Sequence, residues 1–137
     1  MKEMTLLAKR EYLEQVLEFV DTLLAEKNCT MRAQLELEIA VEELFVNIAS
    51  YAYRPKEGPV TIQVSFEGNI VSIVFIDGGK PYNPWERDDP DITLSAEERE
   101  IGGLGIYLVK NTMNKVAYRY EDEKNILTIQ KDITEEE

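Results

Sequence analysis

The stretch VTIQVSFEGNIVSIVFIDGGKPYNP, residues 60–84, decides the fold. Val60, Ile62, Val64 and Phe66 alternate with Thr61, Gln63 and Ser65, the period of a half-buried strand. Gly68-Asn69 suits a two-residue hairpin turn. The next run, IVSIVFI, is almost wholly apolar and is expected to be a central strand buried on both faces. It stops at Asp77. From about residue 78 to residue 101 no period survives, and Pro81, Pro84 and Pro90 interrupt the chain. An aperiodic segment of that length inside a compact domain reads as a lid or a binding loop.

Working outward, an apolar run from Thr5 to Ala8 reads as an edge strand. From about Lys9 to Glu26, Leu13, Val16, Leu17, Val20, Leu23 and Leu24 recur at helical spacing. Asn28 offers a stop and Thr30 a new cap. A longer helix is expected from about Met31 to Tyr53, burying Leu37, Val41, Leu44 and Ile48, with Arg54-Pro55 as its end. Beyond the lid, a short helix spans about Leu104 to Met113. Val116, Tyr118 and Tyr120 alternate in a strand, EDEKN (121–125) forms a polar turn, and Ile126 to Lys131 makes the last strand. These elements assemble into one α+β domain over residues 1–137. It is a two-layer sandwich whose mixed, mostly antiparallel sheet is covered on one face by about three helices.

Composition excludes several functions. The chain contains no histidine and one cysteine, Cys29. Imidazole zinc sites, Ser-His-Asp hydrolysis, phosphohistidine chemistry and internal disulfides are therefore all ruled out. A net charge of −12 opposes a nucleic-acid ligand, which needs a basic footprint. No apolar run approaches a membrane span, and MKEMTLLAKREYLEQ lacks the apolar core of a secretory signal, so a cytoplasmic protein is the expectation.

Three constellations carry chemistry. Glu43 and Asn47, four residues apart in EELFVN, share one helix stripe. A carboxamide oxygen suits Mg²⁺ already held by phosphate, and a carboxylate one turn earlier can polarise a hydroxyl. The same pair also fits an ordinary helix surface. Asp77 in DGGKPYNP (77–84), at the end of a buried strand, can accept from the exocyclic amine of adenine, with Gly79 opening space beside a flat base; a plain Asp-Gly turn is the alternative. In GGLGIYLVK (102–110), Gly102, Gly103, Leu104 and Gly105 open a helix whose free N–H groups face an anion, or else form a hinge.

In this order, the constellations resemble the GHKL ATPase superfamily, and within it the anti-sigma-factor serine/threonine kinases of bacterial partner-switching systems. The likeness covers roughly Glu36 to Lys131. It implies ATP and Mg²⁺ as cofactors, Asn47 as the metal ligand, and Glu43 as general base. Asp77 and Gly79 would bind adenine; Gly103 and Gly105 would supply amides to phosphate, and Arg99 and Lys110 positive charge. The residues themselves also allow Arg99 an ion pair with Glu97 or Glu98, and Lys110 a place at its helix end. Where the family often has histidine, this chain has Tyr51. The resemblance further implies a sigma factor and a small antagonist protein as partners, phosphorylation of that antagonist, and a homodimer. A non-catalytic, ATP-dependent regulatory module of the same fold is the alternative.

Overall fold

A computed structural model describes residues 1–86 and 103–134. Among the described residues five strands form one sheet: β1 (Lys2–Leu7), β2 (Pro59–Glu67), β3 (Ile70–Asp77), β4 (Lys115–Glu121) and β5 (Lys124–Asp132). Their order is β1-β2-β3-β5-β4, and every pairing is antiparallel. Three helices, α1 (Leu13–Ala25), α2 (Met31–Asn47) and α3 (Gly103–Thr112), form the second layer.

The core lies between the layers. Val60, Ile62 and Val64 of β2, Val71, Ile73 and Phe75 of β3, and Leu127 and Ile129 of β5 all point inward. They meet Val16, Val20 and Leu24 of α1 and Leu37, Val41 and Leu44 of α2. Alternation is thus as strict in β3 as in β2. The expectation that β3 would be buried on both faces is corrected: Ser72, Val74 and Ile76 turn to the uncovered face and are only half-buried.

Boundaries shift where local chemistry intervenes. A 3-10 turn, Arg10–Tyr12, precedes α1. Asn28 adopts a left-handed φ of 56°, which ends the helical run, and the Thr30 side chain accepts from Ala33 N at 3.2 Å. Substitution Thr30→Ala is expected to cost about 1 kcal/mol, read as a lower urea midpoint at unchanged slope. α2 does not run unbroken to Tyr53. It ends at Asn47 and widens into a π-helical turn, Ile48–Ala52. Between β4 and β5 only Asp122 and Glu123 form the turn, both at positive φ. Asn125, expected in that turn, is a strand residue.

Candidate functional site

The site forms where the end of α2 meets the end of β3. Inward positions of β3 fall on Val71, Ile73, Phe75 and then Asp77. The alternation that builds the core therefore brings a carboxylate to the last buried position of the strand, 3% exposed. Burial pushes its pKa above the usual aspartate range; hydrogen bonds from Asn125 and Gly79 and the charge of Lys124 offset part of that rise. Oδ1 accepts from Gly79 N at 2.8 Å and from Asn125 Nδ2 at 3.0 Å. Oδ2 has no hydrogen bond among the described residues.

Asp77 lines a cavity of about 270 Å³. Leu44, Ile48 and Leu127 make its apolar wall, Pro81 and Tyr82 border it, and Asn47, Asp77 and Asn125 supply its polar groups. An apolar slot with a few placed polar groups is the common form of a small-molecule site. Its volume falls just below the roughly 300–1,000 Å³ of whole-ligand pockets, which suits a base and part of its sugar.

The loop leaving Asp77 is held from two sides. On one side the π-helical turn directs Ala52 O at Lys80 N, 2.9 Å away. Gly79 packs so closely on Ala52 that a Cβ would overlap its carbonyl. The chain's own packing thus requires glycine at this position. Tyr53 Oη receives Gly78 N and donates to Pro59 O, each at 2.6 Å. On the other side stands Asn125, 4% exposed. Its Oδ1 accepts from Tyr82 N and Tyr118 Oη, and its Nδ2 donates to Lys80 O as well as to Asp77.

Glu43 and Asn47, one turn apart on α2, divide between two neighbours. Asn47 borders the cavity. The Glu43 carboxylate lies over Gly105 in the first turn of α3, where any added Cβ would collide with it. A carboxylate is favoured there, because the first N–H groups of a helix have no partner within it. Gly103 opens α3, Leu104 is exposed, and Lys110 lies in the last turn, where a cation complements the helix end. Tyr51 is on the cavity wall and largely exposed. Arg99 and Gly102 lie outside the described residues.

Asn125 is a site residue that sequence reasoning misses, because the polar run EDEKN reads as a turn. The signal was present: Asn125, Leu127, Ile129 and Lys131 fall in one alternating phase, and two of the four are core positions.

Comparison with known proteins extends this geometry. Over 100 residues the chain is 28% identical to the serine/threonine-protein kinase BtrW of Bordetella bronchiseptica, covering 72% of this chain and 70% of the relative. It is 27% identical to the serine-protein kinase RsbW of Listeria monocytogenes, covering 64% of this chain and 59% of that one. An anti-sigma F factor of Thermoanaerobacter matches at 25% identity over 85% of this chain and 81% of its own length. The nucleotide-free catalytic domain of the histidine kinase ThkA shares the fold, with TM-score 0.57 at 12% identity over 99% of this chain and 100% of the other. No helix among the described residues is long and apolar enough to cross a membrane. The histidine kinase-like ATPase domain family matches residues 6–131, nearly the whole chain and every site element described above, and the chain belongs to that family.

Proposed function

We propose that this chain binds Mg-ATP, transfers the γ-phosphoryl group to a serine or threonine of a small antagonist protein, and acts as an anti-sigma factor. The observation that carries the reading is the arrangement of α2. One turn of it offers Asn47 to the cavity that holds the Asp77 acceptor, and Glu43 to the first turn of α3. Nucleotide recognition and phosphate chemistry thus adjoin along one helix. Names of relatives support the same reading, since serine-protein kinases and anti-sigma factors both occur among them.

The residues present fit the cofactors. Asp77 Oδ2 is an acceptor suited to the exocyclic amine of adenine, with Leu44, Ile48 and Leu127 against the base. Among the described residues no cluster of three or more acidic, cysteine or histidine side chains could hold a metal ion alone. Asn47 would therefore share Mg²⁺ with phosphate oxygens and waters, the usual habit of that ion. When bound, Mg²⁺ supplies neutralising charge on the triphosphate.

The chain's own residues do the rest by position and electrostatics. The N–H groups that open α3, over which the Glu43 carboxylate lies, would serve the phosphate anion. Glu43 accepts the proton of the acceptor hydroxyl as its oxygen bonds to the γ-phosphorus and the bond to the ADP oxygen breaks. Incubation with γ-labelled ATP and the antagonist is expected to label a serine or threonine. Glu43→Gln should lower that transfer by about 10²–10⁴-fold with ATP still bound. A folded, ATP-bound wild type that transfers nothing would overturn the kinase reading in favour of a regulatory module.

A further inference from the structure

Asn125 is bonded at every polar position its side chain has. Its two amide hydrogens face acceptors alone, Asp77 Oδ1 at 3.0 Å and Lys80 O at 2.9 Å, with Gly79 O at 3.4 Å beside the second. Its carbonyl oxygen accepts from Tyr82 N at 3.1 Å and from Tyr118 Oη at 2.6 Å. Reversal of the amide would set its nitrogen against Tyr82 N and its oxygen against Asp77 Oδ1 and Lys80 O, so those three contacts fix its orientation. A fixed donor beside Asp77 Oδ1, together with Gly79 N, uses up one oxygen of the carboxylate and leaves the other toward the cavity.

We infer that Asn125 is a positioning residue that sets the base preference of this pocket, by holding Asp77 as a one-sided acceptor. The inference rests on the reading that Asp77 receives a base amine. An acceptor at that point favours a purine carrying an exocyclic amino group over one carrying an oxo group, whose oxygen would oppose it. Asn125 acts through Asp77 and through the backbone of residues 79–82, which borders the same cavity.

Several groups bear on the ionisation of Asp77. Lys124 at the start of β5 favours the carboxylate, as do Asn125 and Gly79 N, whereas burial opposes it. Tyr53, after α2, and Tyr118, on β4, carry phenols whose ionisation Asp77 opposes. Loss of the Asn125 donor therefore raises the Asp77 pKa further. The acid limb of nucleotide binding then moves to higher pH, whereas a purely structural defect would weaken binding evenly across pH.

The test is titration calorimetry of the full chain with ATP and with inosine triphosphate, which replaces the amino group by an oxo group, from pH 5 to pH 8. Wild type is expected to prefer ATP by about tenfold or more. The isosteric Asn125→Asp should bring that preference close to unity and shift the acid limb upward. Tyr118→Phe, which removes one hydrogen bond to Asn125 Oδ1 and tests the point should Asn125→Asp fail to fold, should reduce the preference severalfold in the same direction. Equal binding of the two nucleotides by wild type would overturn the base-amine reading, and this inference with it. A wild-type preference retained in the folded variants, with an unmoved acid limb, would overturn the role of Asn125 alone.

Discussion

Asp77→Asn is expected to abolish measurable ATP binding while leaving the empty protein at least as stable as wild type. The two side chains have the same shape. Asn at this position keeps an oxygen for Gly79 N and Asn125 Nδ2, two of the bonds that hold the loop. Its amide nitrogen then faces the cavity, and a donor meets the donor on the base. Loss of a bond together with a buried mismatch corresponds to about a hundredfold or more in affinity.

Stability follows from the sign of the pKa shift. Burial holds the folded Asp77 carboxyl above its unfolded value, so the folded state binds its proton more tightly. This contribution to stability falls as pH rises from the unfolded value, roughly 3.9, to the raised folded one. The resulting penalty persists at neutral pH. Asn carries no such penalty. Thermal unfolding at pH 7 should show the variant equal to or above wild type, and the gap should close towards pH 3. A variant that binds ATP like wild type would remove Asp77 from the nucleotide site. One that is markedly less stable at pH 7 would show that the carboxylate serves the fold.

The second large effect concerns Lys131, a fully buried lysine far along β5 from the cavity. Its Nζ lies 2.9 Å from Glu36 Oε1 on α2 and donates to Thr112 O, the last residue of α3, at 2.7 Å. One ammonium thus joins the sheet to two helices and satisfies a helix-end carbonyl. Lys131→Met leaves Glu36 with its side chain only 17% exposed and Arg32 3.7 Å away as a weaker partner. The loss should be about 3 kcal/mol, the lower end for a broken buried pair, measured from the urea midpoint. Adding Glu36→Met should recover most of it, because an apolar pair has no charge left to desolvate. A single-variant loss below about 1 kcal/mol would mean that Glu36 and Thr112 find other partners.

Much of the fold was legible because it rests on short-range periodicity. Alternation in residues 60–66 located β2, and helical spacing located α1 and α2. Thr30 was legible as a cap because its side chain bonds a backbone N–H three residues on. Where reading failed, a longer-range effect decided. The apolar run in β3 suggested burial on both faces, yet sequence cannot show how many layers a sheet receives. In β5, composition argued for a turn at Asn125, whereas pairing with Asp77 and Tyr120 made it strand. A β-turn needs only two residues, and Asp122 and Glu123 supplied them at positive φ.

Amino-acid pattern was enough for most of the elements, their order, and the residue types available for chemistry: an acid and an amide one helical turn apart, a strand-end aspartate, and glycines opening a helix. It could do so because these features depend on spacings of two to four residues. Tertiary structure alone decided who meets whom. It brought Asn125 to Asp77 across 48 positions, laid the Glu43 carboxylate over Gly105, seated Gly79 on Ala52, and buried Lys131 between two helices. Those contacts follow from strand register and helix packing, which depend on the whole core closing at once and leave little trace in any local window.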